Sequence, residues 1–476
     1  MGGETAMRQE HDVFGAVDIP ADRYYGGQTR RALEVFGDAG EERLPPGLIR
    51  AAGLQKLAAV CANRAIGAIE PDLAGPIERA AREVWEGRFD EHFPLPVWQT
   101  GSGTQTNMNA NEVIANRANE LLGRPLGTRS PVHPNDHVNR SQSSNDSFPT
   151  MMHIAVLQAV ADELLPALSV LRDCFAAKAV EFAGIVKIGR THLMDAVPMT
   201  VGQGFDTFAR QIAATVERLD AAIPRLAVLP QGGTAIGTGL NAPPGFDIAF
   251  CDALSRLSGQ VYIPAPSKFE AMAAHDELVS LSGILNVLAV SLIKIANDIR
   301  LLGSGPRCGL GELILPPDGL TSSIMPGKTN PTIAEAVLQA AFQVIGNHAT
   351  VTAAGASGNF ELNVAKPVIA YNLLQSIRLM ARAAERFAVR TVAGIAVDQG
   401  RTARNVADAI LPATALNPVL GYDAVARITK HALQEGTTPR EAAIALGLLT
   451  GDEYDRHVRP ADLANVAAGT AADAGA

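Results

Sequence analysis

The chain has 476 residues, of which 47% are hydrophobic and 19% are charged, so it is long and apolar enough to form several domains around a large core. This composition excludes a disordered chain. The formal net charge is −9 at pH 7 and no long run of Lys or Arg occurs, which argues against binding to nucleic acid or an anionic membrane. A small-molecule substrate is the better starting hypothesis.

The cysteines and the first residues bear on the compartment. Cys61, Cys174, Cys251 and Cys308 are far apart and form no C-x-x-C pair, so neither a disulfide framework nor a zinc ribbon is predicted. We expect buried thiols in a reducing compartment. The stretch 1–13 mixes charged and polar residues and contains no apolar segment typical of a secretory signal. The sequence therefore predicts a cytoplasmic protein.

Long helices are predicted in the middle of the chain. Aromatic residues make up only 5% of the sequence, which favours close-packed helices over an aromatic-rich β-sandwich. In 277–302 the apolar residues are separated by threes and fours and cover most of the helix, so we place it at the centre of a bundle. Polar residues interrupt this run before it reaches the roughly 20 apolar residues of a membrane span. The other long predicted helices are 150–182, 199–226 and 332–354.

Two prolines and the changes of pattern complete the predicted organisation. Pro166 and Pro224 lie inside predicted helices, and we expect them to bend these helices without ending them. We divide the chain into an N-terminal domain, 1–144, a central long-helix domain, 145–395, and a small C-terminal domain, 396–476. The Ala- and Gly-rich stretch 467–476 reads as a frayed tail.

Polar connectors, most of which contain glycine, separate the predicted helices. Loops on a rigid scaffold carry binding and catalytic residues more often than the elements they join, so we expect function here. The connectors are 101–106, 131–146, 189–198, 232–241 and 316–331.

The last connector has the composition of an anion-binding loop. Its segment 322–331 places hydroxyls, one cation and one amide in a turn that contains two prolines and Gly327. A plain surface turn is one alternative. A P-loop is another, but Ser322 stands where its first glycine should be. Asn330 and Pro331 also read as the N-cap and first residue of a helix, whose positive end would favour an anion.

Three other connectors share this polar character. They contain Ser102 and Thr104, the run 141–146, and the run Gly189-Arg190-Thr191-His192. Taken alone, each is more often a turn with local hydrogen bonds, and a lone histidine is usually structural. Three polar loops together with an anion-binding loop favour a binding site over four unrelated turns.

These segments together resemble class II fumarases, within the fumarase/aspartase superfamily of helical homotetrameric lyases. The resemblance runs from Tyr24 through Gly305-Pro306-Arg307 to Asp423 and covers nearly the whole chain. The segment 322–331 is highly specific for the superfamily. His192 and Ser144 favour a fumarase, because an aspartase usually has Gln and Thr at these two positions.

The resemblance implies an all-α dominated fold. It implies a long-helix bundle with smaller N- and C-terminal domains, completed by homotetramerisation, with each active site shared between three subunits. It implies a dicarboxylate substrate and a reaction of the tricarboxylic acid cycle. No cofactor, metal, nucleic acid or membrane is implied.

The resemblance also implies a mechanism, the reversible hydration of fumarate to (S)-malate by anti addition and elimination through an aci-carboxylate carbanion. By similarity Ser322 is the base, and Lys328 and Asn330 hold the carboxylate on which charge accumulates. His192, oriented by Glu335, handles the proton of the departing hydroxyl. Glu335 also fits a helix capping box that begins at Thr332. The implied substrate-binding residues are Ser102, Thr104, Ser143, Ser144, Asn145, Thr191, Lys328 and Asn330.

The chain departs from the family pattern in several places. The family's secondary anion site corresponds to His133, Asn135 and Asp136, but Ser130 stands where a basic residue is normal and Arg129 is displaced by one place, so the sequence does not establish this site. His133 and His137 have the spacing of a metal pair, which Pro134 and the absence of a carboxylate motif argue against. The other departures are Met194, Gly204, Leu320, Thr321 and Thr329.

Thr321 is the departure with the clearest physical consequence, because a β-branched residue stiffens the hinge of the 322–328 loop. Two alternatives to a fumarase remain open. One is an aspartate ammonia-lyase or another C4-dicarboxylate lyase of the same superfamily. The other is a non-catalytic helical assembly protein that kept the fold.

Overall fold

A computed structural model describes residues 6–12, 14–37, 40 and 42–465. Helices account for 62% of the structure, which confirms the all-α dominated fold. The tail predicted at 467–476 lies outside the described residues.

Helices follow one another along the whole described chain. They are α1 Gly27–Phe36, α2 Pro46–Ala65, α3 Pro71–Trp85, α4 Thr104–Leu121, α5 Ser144–Ala159, α6 Leu165–Glu181, α7 Val201–Leu226, α8 Phe246–Ser258, α9 Lys268–Ala273, α10 Asp276–Leu302, α11 Thr332–Gly355, α12 Lys366–Arg390, α13 Gln399–Asp408, α14 Asn417–Leu420, α15 Tyr422–Glu435, α16 Pro439–Ala445, α17 Gly451–His457 and α18 Pro460–Leu463.

The strands of the described chain form small two-stranded sheets. Three pairs are antiparallel: β1 Met7–Asp12 with β2 Gly15–Pro20, β3 Val186–Thr191 with β4 Met194–Thr200, and β7 Leu313–Ile314 with β8 Ala396–Val397. β5 Val228–Leu229 pairs in parallel with β6 Ile263–Pro264.

The chain divides into two compact units, each assembled from separate stretches of sequence. Unit 1 comprises 1–166, 217–289 and 341–381, and unit 2 comprises 167–216, 290–340 and 382–476. The three consecutive domains 1–144, 145–395 and 396–476 remain a prediction.

Each unit has its own apolar core. In unit 1, α2 is buried on nearly all sides, and even Gln55 and Lys56 are enclosed. In unit 2, Phe175 contacts Phe205, Phe208 and Phe387 with ring centroids 5.6–6.2 Å apart. The C-terminal helices of unit 2 add a satellite cluster around Ile428.

The predicted buried face of α10 is confirmed. Leu281, Leu285, Leu292 and Ile299 are fully or almost fully buried, as the spacing of threes and fours requires. By length and composition alone, α10 and the stretch Ser144–Glu181 are long and apolar enough to cross a membrane. Core helices pass the same test, and 44% of each apolar window is buried within this chain.

Two local expectations need correction. The helix predicted over 150–182 does continue past Pro166, since Ser144–Glu181 is helical throughout, but it is not a uniform α-helix: α5 ends at Ala159, a π-helical turn covers Val160–Leu164, and α6 begins one residue before Pro166. A π turn there accommodates the missing N–H of the proline. All four cysteines are free as predicted, but of these only Cys251 is buried, whereas Cys308 is exposed.

Candidate active site

The first polar connector leads into α4. Gly103 adopts a left-handed conformation with φ 75°, and a Cβ there would lie 2.3 Å from the ring of Phe148, so only glycine fits. The turn places the hydroxyls of Ser102 and Thr104 2.8 Å apart, both half-buried. Two predicted donors are therefore side by side at the start of a helix, where the positive end of the helix favours an anion.

The second connector forms the start of α5, in the same unit. Ser143 is the N-cap of α5, and its Oγ accepts the backbone N–H of Asn145 at 3.2 Å. The Oγ of Ser144 accepts a hydrogen bond from Nδ2 of Asn107 at 3.0 Å. Because Asn107 lies one turn after Thr104 in α4, unit 1 brings the two groups of predicted carboxylate-binding residues together.

The third connector is the turn between β3 and β4, in unit 2. His192 and Leu193 are its two central residues, with φ 57° and 61°, the geometry of a two-residue hairpin turn of type I′. Thr191 and His192 are exposed on this turn. Non-glycine residues with positive φ are strained, so the turn must be held by its surroundings.

A buried ion pair at the base of this hairpin holds it. The ladder shifts register between Ile188 and Arg190, and the Arg190 guanidinium donates to both oxygens of Glu312, at 3.0 and 2.6 Å. Asn405 donates to Glu312 at 2.9 Å, and Lys187 lies 3.6 Å away. Burial opposes ionisation of Glu312, but the bonds from Arg190 and the charge of Lys187 outweigh it, so the pKa of Glu312 is lowered.

The 322–330 loop, also in unit 2, closes on itself. The Ser322 N–H donates to the carbonyl of Lys328 at 3.1 Å. The Oγ of Ser322 accepts backbone N–H groups from Ile324 at 3.3 Å and from Met325 at 3.1 Å. Lys328 donates to Oδ1 of Asn330 at 2.6 Å. Donors that point at a hydroxyl oxygen favour its ionised form, so the loop meets a requirement of a serine base.

The start of α11 differs from the prediction by one residue. The helix begins at Thr332, so Asn330 is not its N-cap; its carbonyl accepts the N–H of Thr332 at 2.9 Å. The capping box expected between Thr332 and Glu335 does not form, because the Thr332 hydroxyl donates to Asp318 and the Glu335 N–H to the carbonyl of Pro331.

The side chain of Glu335 takes no part in capping α11 and lies near an arginine. Its carboxylate lies 3.7 Å from the Arg300 guanidinium. Among the residues that the structure describes, no hydrogen bond or ion pair joins Glu335 to His192. The pairing of these two residues therefore stays a prediction.

The segment predicted as a secondary anion site is held by hydrogen bonds within itself and to Arg129. His133 Nδ1 accepts the backbone N–H groups of Asn135 and Asp136 at 3.3 and 3.2 Å, and Nε2 lies 2.8 Å from the Arg129 guanidinium. The displaced Arg129 thus still reaches His133. Burial and the Arg129 charge lower the pKa of His133. His137 Nδ1 accepts the N–H of His133, and the described residues contain no group of three or more potential ligands that could hold a metal ion.

Two carboxylates that the sequence reasoning did not select, Asp146 and Glu312, prove to be fully buried next to predicted site residues. For each the sequence offers a weak signal: Asp146 follows Ser143 at the S-x-x-D spacing of a helix capping box, and Glu312 follows the glycine-containing stretch Gly309-Leu310-Gly311. Many exposed acids have the same context, so sequence alone does not single them out.

The comparisons with known proteins first define the class. A family model described as Lyase matches residues 15–346, and a model described as Fumarase C C-terminus matches residues 413–465. The chain is thus a lyase with a fumarase-type C-terminal region.

Individual relatives then define the family. The chain is 54% identical to a mitochondrial fumarate hydratase of Schizosaccharomyces pombe, over 96% of this chain and 88% of that protein. It is also 54% identical to a class II fumarate hydratase of Caulobacter vibrioides, over 96% of this chain and 98% of that protein. The crystal structure of a class II fumarase from Schistosoma mansoni superposes with a TM-score of 0.94 at 40% identity, covering 96% of this chain and 99% of that chain. The chain belongs to the class II fumarase family.

Glu312→Gln tests the support of the hairpin. The change leaves the half-buried Arg190 without the Glu312 carboxylate. Breaking a buried ion pair typically costs about 3–5 kcal/mol of unfolding free energy. We expect a loss no greater than this range, because Arg190 is partly exposed. The control Asp455→Asn removes an exposed partner of Arg440 and should cost much less, because water screens an exposed ion pair. Because the pKa of Glu312 is lowered in the folded state, its contribution exists above the ordinary glutamate pKa and is lost as pH falls through the folded value.

Chemical denaturation of both variants and the parent at pH 7 and at lower pH measures this effect. The stability deficit of Glu312→Gln should shrink on acidification. If Glu312→Gln lost no more unfolding free energy than Asp455→Asn, the ion pair would not be the support of the turn.

Proposed function

We propose that this protein is a fumarate hydratase that interconverts fumarate and (S)-malate by anti addition and elimination. Family membership, at 52–54% identity to fumarate hydratases over nearly the whole chain, supports the substrate, a small dicarboxylate. The observation that carries the mechanism is the Ser322 hydroxyl, whose oxygen accepts two backbone N–H groups inside a loop closed by Lys328.

The first step in the dehydration direction is removal of a proton from Cβ of malate. The C–H bond breaks, the proton passes to Oγ of Ser322, and the electron pair moves into the adjacent carboxylate as an aci-carboxylate. The N–H groups of Ile324 and Met325 stabilise the serine alkoxide that must precede this transfer. Lys328 and Asn330 would hold the carboxylate that gains charge, since preorganised donors at a developing anion usually supply the largest catalytic contribution.

The second step breaks the Cα–O bond. The electron pair of the aci-carboxylate forms the Cα=Cβ double bond of fumarate, and the hydroxyl group accepts a proton and leaves as water. We assign this proton to His192, directly or through a bound water, with Thr191 as a neighbouring carboxylate ligand. Glu335 would orient His192, which requires Glu335 to exchange its present neighbour Arg300 for the histidine.

The donors of unit 1 would bind the carboxylates of the substrate. Ser102, Thr104, Ser143, Ser144 and Asn145 offer hydroxyl and amide groups, all half-buried. These short, uncharged side chains lie at the starts of α4 and α5. Their hydrogen bonds would replace the water molecules that a carboxylate loses on binding, and no ion pair to a cationic side chain would be needed. We further propose that His133, Asn135 and Asp136, with Arg129 beside His133, form a second anion site.

Assembly as a homotetramer, with sites built from three subunits, is also proposed. The central helices expose apolar side chains that a single chain leaves uncovered, including Val287 and Val290 on α10 and Phe342 and Ile345 on α11. Partner subunits would cover these side chains. We further propose a cytoplasmic location; the relatives include mitochondrial and bacterial enzymes.

An ammonia-lyase of the same superfamily is the main competing function. Purified protein offered (S)-malate should form fumarate, followed by its ultraviolet absorbance, whereas L-aspartate should yield none. Fumarate from aspartate alone would reverse this assignment. Fumarate from neither substrate would favour the non-catalytic assembly protein.

Ser322→Ala and Lys328→Ala should each reduce kcat for malate by at least about a thousandfold, since each removes a group that acts on the carbanion. Neither side chain contributes to a buried core, so the melting temperature and oligomer size should stay unchanged. Thr329→Val, which restores the residue common in relatives, is the matched control on the same loop and should retain turnover. Full activity of Ser322→Ala would refute its role as base.

His192→Asn should lower kcat by about 10²–10⁴-fold, the usual contribution of general acid–base catalysis, and alter the pH profile of kcat. Met194→Gln, a change on the same hairpin toward the common family residue, should leave the profile intact. An unaltered profile in His192→Asn would exclude this histidine from proton transfer.

A further inference from the structure

Asp146 joins two segments of unit 1 that are far apart in the sequence, the start of α5 and the 232–234 connector. Its side chain is fully buried at the start of α5. Oδ1 accepts the backbone N–H of Ser143 at 2.9 Å, while Oδ2 accepts the N–H groups of Gly232 at 3.0 Å and Thr234 at 2.9 Å. A capping box explains the bond to Ser143 but not the two bonds to a connector 86 and 88 residues further along the chain.

The connector that Asp146 holds in turn orients Asn145. The Nδ2 of Asn145 donates one hydrogen bond to the carbonyl of Ala235 at 2.8 Å, which fixes the plane of the amide. Thr234 has a φ of 55°, a strained conformation for a β-branched residue that persists only where its surroundings hold it. Asp146 supplies that hold, because it accepts the N–H of Thr234.

Two buried lysines interact electrostatically with this carboxylate. Lys56 donates to Oδ1 of Asn139 at 3.0 Å and to Oε1 of Gln142 at 2.9 Å, and the backbone N–H of Lys366 donates to the carbonyl of Gly101 at 2.9 Å, beside Ser102. Burial lowers the pKa of each lysine to about 7, and the negative charge of Asp146 opposes that shift for both. The negative charge of Asp146 therefore acts on both lysines, while burial raises the pKa of Asp146 itself to about 6.

We propose that Asp146 is a positioning residue for substrate binding: through the 232–235 connector it fixes the amide of Asn145, and through Ser143 it fixes the start of α5, where the substrate carboxylate binds. This inference rests on the proposed function and adds to it a residue that need not touch the substrate. Its effect should reach the substrate mainly through Asn145.

Asp146→Asn is the first test. An asparagine keeps the shape but replaces one acceptor oxygen by a donor, so either the bond to Ser143 or the bonds to Gly232 and Thr234 must break. We expect KM for malate and fumarate to rise about tenfold or more, the effect of roughly 1.4 kcal/mol, with a smaller fall in kcat. Asp146→Glu keeps the charge that faces the lysines while moving the carboxylate. It should fold and raise KM as well, which keeps the inference testable if Asp146→Asn folds poorly.

Glu112→Gln is the matched control. Glu112 is a second buried carboxylate of unit 1, and it accepts the backbone N–H groups of Gly26, Gln28 and Thr29 at 2.9, 2.7 and 3.1 Å. Its replacement should lower the melting temperature but leave KM unchanged. A KM increase of the same size in both variants would mean that any loss of a buried carboxylate disturbs binding, and would overturn the inference.

A double-mutant cycle with Asn145→Ala separates positioning from general stability. If Asp146 acts through Asn145, then Asp146→Asn should change KM little once Asn145 is alanine, whereas independent effects would multiply. Multiplying effects would refute the inference and leave the proposed function standing. Asn145→Ala without any effect on KM would instead contradict the proposed substrate-binding set.

Discussion

Buried polar donors need acceptors, and in this chain buried carboxylates supply them at the connectors. Glu112 accepts three backbone N–H groups at the start of α1. Asp146, at the start of α5, accepts one backbone N–H group there and two from the 232–234 connector. Glu312 accepts hydrogen bonds from the Arg190 guanidinium beside a strained hairpin turn. A carboxylate can accept several bonds at once, and it is costly to bury unless those bonds are made. The long apolar helices are a frame, but these carboxylates determine where the polar connectors lie.

This arrangement suits a reaction that builds up negative charge. An aci-carboxylate intermediate is stabilised best by donors that are already in place, because reorienting them during the reaction would consume the free energy they supply. In this chain the donors are short hydroxyls, one amide and backbone N–H groups, held by the rigid contacts described above. The 322–330 loop shows the same arrangement on a small scale, since the N–H groups of Ile324 and Met325 donate to the Ser322 oxygen, which would carry charge if Ser322 is the base that we propose.

Much of the helical frame could be predicted from sequence. The helices predicted at 199–226, 277–302 and 332–354 differ from α7, α10 and α11 by no more than two residues at either end, because a broad apolar surface repeats with helical spacing. α12 was not predicted, since arginines recur along it and narrow its apolar stripe. The π turn before Pro166 was missed because a periodic pattern does not reveal how the backbone accommodates a missing N–H.

The candidate site was less accessible to sequence reasoning. Its residues were selected by resemblance to a family, and the residue types in each connector only made a binding site plausible. The partners of Asp146 on the 232–234 connector lie 86 and 88 residues away and those of Glu312 up to 122, so no local pattern could have paired them. The capping roles expected for Asn330 and for Glu335 were wrong because α11 begins only at Thr332 and because the Thr332 hydroxyl donates to Asp318, 14 residues earlier in the chain.

Proton addition at Cβ is the step that we propose these donors support, and proton NMR of fumarate hydration in D₂O observes it directly. The account predicts malate that carries one deuterium at Cβ in a single diastereomer, as anti addition at an enclosed carbanion requires. A mixture of diastereomers, or no malate from the folded protein, would contradict it.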